Sequence, residues 1–162
     1  MTTFLLIIGA LALSLALVWM FTRPSAGAVA AYFGTWAVAR SGYSFIDSDT
    51  LLFWAVAVLI VTGIQMARGR VVTFPLKLRC YVAGGSLPLA ATGALVGPAG
   101  VIIGAVAGVA LGAVACRAAN RAFSNNSRYW ASVLALGAPV VVAVCLVMLA
   151  VTGIIARANI LQ

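Results

Sequence analysis

Long apolar runs, separated by short polar breaks, set the organisation of this chain. The first run, 4–22, stops at Arg23 and Pro24. Its length suits one crossing of a ~30 Å hydrocarbon core, and Trp19 suits the headgroup interface. The run is longer than the apolar core of a usual signal peptide, and no Lys or Arg precedes it. A retained membrane anchor is therefore expected. The second run, 26–39, would give roughly 21 Å of helix, too short to cross unaided. Extended to 45 it reaches crossing length, but only by taking in Arg40 and Gly42. Both an interfacial helix carrying Tyr32 and Trp36 and a short span over 26–45 fit this pattern. Asp47, Ser48, Asp49 and Thr50 then open a third helix over 51–67, whose apolar run is unbroken until Gln65. A basic segment follows, with Arg68, Arg70, Lys77 and Arg79, broken by Gly69 and Pro75. Its charges are expected to hold it in the headgroup region.

The stretch 84–116 reads GGSLPLAATGALVGPAGVIIGAVAGVALGAVAC, 33 residues without a charge. As one helix it would be ~50 Å long, well beyond one crossing. Gly97 and Pro98 lie near its middle, and proline has no N–H to give a helix interior. A helical hairpin turning at Gly97-Pro98, with arms 84–97 and 99–116, accommodates both facts. Charge supports it independently. A hairpin puts Arg68, Arg70, Lys77 and Arg79 on the same membrane face as Arg117, Arg121 and Arg128, and the positive-inside rule makes that face cytoplasmic. Beyond the polar stretch 117–128, Tyr129 and Trp130 mark re-entry, and a last span is expected over 131–156 with Pro139 near its first turns. The pattern predicts an all-α, polytopic transmembrane helical protein with four to six membrane segments in one membrane domain.

Glycine spacing adds a packing face. Gly100, Gly104, Gly108 and Gly112 recur every fourth residue, which aligns them along one side of a helix. Such a face lets a second helix approach to backbone contact. Gly93 and Gly97 on the first arm are candidates to meet it. The alternative is that the face meets another subunit.

Composition agrees with lipid as the solvent. Hydrophobic residues make up 65% of the 162 residues and charged residues 7%, far from the balance of soluble domains. The net charge of +8 comes from ten Lys and Arg against two acids. These cations flank apolar runs, so they are read as topology or lipid-headgroup determinants, and nucleic acid is not an expected partner.

Catalytic chemistry has little to draw on. The chain has no His, the commonest general base and metal ligand. Cys80, Cys116 and Cys145 are far apart and lack metal-site spacing, leaving lipidation of Cys80 as their one suggested chemistry. Asp47 and Asp49 read as helix N-terminal residues, with cation collection at a span's mouth as the alternative. Ser14, Thr62, Gln65, Ser132 and Thr152 read as hydrogen-bonding residues within or near spans. No cofactor, metal or enzymatic activity is expected.

The segment VGPAGVIIGAVAGVALGA at 96–113 resembles small bacterial glycine-zipper integral membrane proteins of unknown function, which pair glycine-rich apolar helices about a Gly-Pro turn. That resemblance implies a multi-span helical membrane protein with no defined activity. The sequence thus leads to a non-catalytic protein of a bacterial inner membrane, acting as a homo-oligomer or small subunit of a larger assembly. A small channel or carrier, with the hairpin lining a pathway, is the alternative.

Overall fold

The computed structural model describes residues 2–44, 46–67, 76–119 and 126–160, and among these the regular elements are six α-helices. They are α1 (Thr2–Thr22), α2 (Pro24–Arg40), α3 (Ser48–Ala67), α4 (Leu76–Ala94), α5 (Pro98–Ala119) and α6 (Asn126–Ile160). Four of them, α1, α3, α5 and α6, are long and apolar enough to cross a membrane. The chain is an all-helical protein of the kind the apolar runs predict.

Proline placement explains where the helices restart. Pro24 and Pro98 each occupy the first position of a helix, where a missing N–H removes no intrahelical bond. α1 and α2 are joined through Arg23 alone, with φ −139° and ψ 82°. Between α4 and α5 the turn lies at Leu95, Val96 and Gly97, and Gly97 takes φ +124°, a conformation that side chains disfavour. The turn thus falls just before Pro98, not after it.

Several boundaries differ from those expected. α2 does not run through 26–45 but stops at Arg40, where the Ser41 N–H reaches back to the Ala37 carbonyl and Gly42 adopts φ +74°. At 17 residues it is about 25 Å long. α4 starts at Leu76 rather than 84, so Lys77 and Arg79 belong to its first turn and not to a connecting segment. Within this turn Leu78 is buried and Arg79 half-buried, while Leu76 and Lys77 are exposed. α6 is 35 residues, about 52 Å, so Pro139 lies in its interior instead of near its start.

α6 is the centre of the bundle. From Val142 to Val147 it is buried on every side. Two helical hairpins, α1–α2 and α4–α5, pack beside it, and α3 lies at the edge. Only 11% of α3's apolar window is buried, against 67% for α6. Specific contacts fix how the ends are arranged. Arg79 near the start of α4 donates to the Thr22 carbonyl at the end of α1. The Tyr129 hydroxyl at the start of α6 donates to Ala113 in the last turns of α5. At the opposite end, Gly153 of α6 lies against Ser44 and Ile46 in the α2–α3 connection. The turn containing Arg23, the start of α4, the end of α5 and the start of α6 therefore share one end of the bundle.

Candidate functional site

The α4–α5 hairpin is where the glycine spacing takes effect. A methyl group built on Gly108 would sit 2.5 Å from Ser86 Cα, and one on Gly85 would sit 2.5 Å from the Gly108 carbonyl oxygen. Methyls on Gly93 and Gly100 would each fall on the other residue's carbonyl. Gly104 faces the Leu89 carbonyl and Gly112 that of Tyr81 in the same way. The seam therefore runs Tyr81, Gly85, Leu89, Gly93 on α4 against Gly112, Gly108, Gly104, Gly100 on α5. Both rows advance by four, and backbone meets backbone along their length. Of the residues expected in this face, Gly93, Gly100, Gly104, Gly108 and Gly112 belong to it. Gly97 does not: it forms the turn, with open space where a side chain would begin. The face is engaged within the chain, so the alternative in which it meets another subunit is not the arrangement found.

A second close-packed seam escaped the reading of the sequence. In α1, Gly9, Leu13, Ala16 and Met20 are buried; in α2, Gly27, Ala31, Gly34 and Val38 are. A methyl on Gly34 would lie 2.8 Å from Leu13 Cγ, and one on Gly27 would lie 3.0 Å from the Met20 nitrogen. Spacings of four, three and four on both helices form a heptad seam. That period was the available signal. It was obscured because neither helix repeats glycine at one interval.

Two polar side chains tie helices together. Thr35 is fully buried, and its hydroxyl reaches both Ala31 (2.8 Å) in its own helix and Leu146 (3.1 Å) in α6. Gln65 of α3 donates through Nε2 to the Ala135 carbonyl of α6 at 2.9 Å. That carbonyl would ordinarily accept from the N–H four residues on, which is Pro139 and has none. Gln65 therefore supplies the hydrogen bond that the proline removes. The sequence does not single out Thr35, because a lone threonine among small residues carries no mark of its partner. By contrast, Ser14, Thr62 and Thr152 bond to carbonyls of their own helices.

A cleft of about 700 Å³ opens between the α1–α2 turn and the C-terminal half of α3, lined by Trp19, Ser25, Ala26, Val29, Thr62, Gln65 and Met66. Its volume lies within the range of small-molecule sites, roughly 300–1,000 Å³. Polar groups cluster toward the basic end of the bundle, where α2 begins without a side-chain cap from Arg23. Lys77 is exposed and Arg79 half-buried at this end, with Arg117 in the last turn of α5. Arg68, Arg70 and Arg121 lie outside the described residues; Arg128 falls in the first turn of α6. Asp49 sits in the first turn of α3, at the opposite end. Among the described residues no group of three or more His, Cys, Asp or Glu side chains is placed to hold a metal ion, and the three cysteines are unbridged.

This arrangement packs helices closely and leaves a cleft at its edge. The chain matches no protein-family model, and neither characterised proteins nor solved structures show significant similarity to it.

Proposed function

We propose that this chain is a non-catalytic protein of a bacterial inner membrane that works as a small subunit of a larger membrane assembly, alike or unlike in its partners. Its basic end faces the cytoplasm, because Arg23, Lys77, Arg79 and Arg117 gather there, against Arg40 and Arg157 with Asp49 at the opposite end. The observation that carries the proposal is the division of labour among the helices. The glycine rows join α4 to α5 inside the chain, whereas α3 leaves Leu52, Phe53, Val56, Leu59, Ile60 and Ile64 exposed. α1 and α5 expose apolar rows as well, but α3 has the smallest buried share of the four candidate spans, 11%, so the partner helix is assigned to α3.

The test is native mass spectrometry of the protein extracted in mild detergent. A defined oligomer, or a complex with unlike chains, is expected, and Leu59→Arg on α3 should dissociate it. A monomer under all extraction conditions would contradict the proposal.

The cleft and the proline in α6 favour a second reading, a small carrier. Irregular helices near a cavity are the usual setting of transport sites. Solute flux in proteoliposomes, abolished by Gln65→Leu, would support it over the subunit reading.

A further inference from the structure

We propose that the cleft between the α1–α2 turn and α3 is a lateral site for one anionic glycerophospholipid. The inference requires only that the protein resides in a bilayer and is independent of the subunit reading. The cleft has the polarity gradient of such a lipid. Ala26, Val29 and Met66 supply apolar wall, while Trp19, Ser25, Thr62 and Gln65 bring an indole, two hydroxyls and an amide. The exposed Val18 of α1, next to the liner Trp19, continues an apolar surface for acyl chains. Thr62 already donates to the Val58 carbonyl, and one amide hydrogen of Gln65 goes to Ala135. The Gln65 carbonyl and second amide hydrogen, with the Ser25 hydroxyl, remain to meet glycerol and ester oxygens.

Charge selects the headgroup. Arg23 is exposed in the turn between the two liners Trp19 and Ser25. Arg79 brings a second guanidinium to that turn by donating to the Thr22 carbonyl, and its Nε is buried without a partner. The acidic side chains of the sequence, Asp47 and Asp49, precede and begin α3 at the other end of the bundle. A phosphate with no compensating amine matches this turn; a zwitterionic headgroup brings a cation to a cationic site.

The experiment adds phosphatidylglycerol or phosphatidylcholine of identical acyl chains to the delipidated protein in dodecyl maltoside. Adducts are read by native mass spectrometry and thermal unfolding is followed in parallel. A 1:1 phosphatidylglycerol adduct and a higher unfolding temperature are expected, with phosphatidylcholine several-fold weaker. Arg23→Gln should reduce the preference about fivefold, the effect of one basic residue near an anionic surface. Val29→Trp, which fills the cleft, should remove the adduct of both lipids. Arg40→Gln, at the opposite end, should leave the preference unchanged. Should Val29→Trp fail to fold, the paired comparison of Arg23→Gln with Arg40→Gln still decides. Equal binding of the two lipids, or equal loss in both arginine variants, would overturn the proposal. So would a second copy or an unlike chain that Val29→Trp expels from the cleft.

Discussion

Two helical hairpins in one small bundle reach close contact by different routes. In α1–α2 the buried positions alternate by four and three, and glycine is mixed with Leu13, Ala16, Met20, Ala31 and Val38. Methyls built on Gly27 and Gly34 meet their nearest backbone atoms at 3.0 Å. In α4–α5 both rows advance by four, and the corresponding backbone atoms lie at 2.5 Å or closer. A heptad seam keeps side chains as knobs between the helices; a row of glycines at every fourth residue leaves only backbone to meet. The half-ångström between them separates packing that can adjust from packing that cannot. A leucine side chain can change rotamer around a new methyl, but a carbonyl held in a helix has nowhere to go.

That difference orders the expected effects of substitution. Gly108→Leu should be the most damaging, because its side chain would have to occupy the position of the Gly85 and Ser86 backbone. A cost above about 3 kcal/mol is expected, read as loss of the monodisperse peak in detergent and early unfolding in SDS titration. Gly34→Ala should cost about 1 kcal/mol, since most of its clash is with the movable Leu13 side chain. An equal loss in the two hairpins on matched Gly→Ala changes would erase the distinction.

Gln65→Leu probes a third kind of contact. It strands the Ala135 carbonyl that Pro139 leaves without a donor, at a cost of about 1 kcal/mol. Adding Pro139→Ala restores an intrahelical donor, so the double variant should recover most of the loss in SDS titration. Additive losses would show that the glutamine acts otherwise. The smallest effect belongs to Gly63→Ala on the loosely packed α3, where a methyl meets nothing within 4 Å. Its unfolding free energy should hold or rise, by about 0.5 kcal/mol at most, read from the midpoint of the same titration.

How much of this was legible in the sequence follows from which features are local. Hydropathy runs and Pro positions are local, so the helical class and the turn beside Gly97 could be read directly. The period-four glycines were legible as a face, but their partner was not, because every fourth residue suits another arm or another copy equally well. Gly9, Gly27 and Gly34 were harder still, each being one small member of a heptad whose remaining members are ordinary apolar residues. The pairing of Gln65 with Ala135 spans 70 residues. A polar residue in an apolar run shows that a partner is needed; only the fold shows that Pro139 created the vacancy. The extension of α4 back to Leu76 was hidden by Lys77 and Arg79, whose charges read as loop residues although the turn they belong to buries Leu78.

Adjacent glycines in α4 offer the most direct test of the central claim, that position on the seam and not glycine content creates the backbone contact. Gly85 faces the Gly108 carbonyl at 2.5 Å from an added methyl, while Gly84, its neighbour, has nothing within 4 Å. Unfolding midpoints of Gly85→Ala and Gly84→Ala should be measured side by side in the same detergent. The account predicts a large drop for Gly85→Ala and none for Gly84→Ala. Equal midpoints would contradict it.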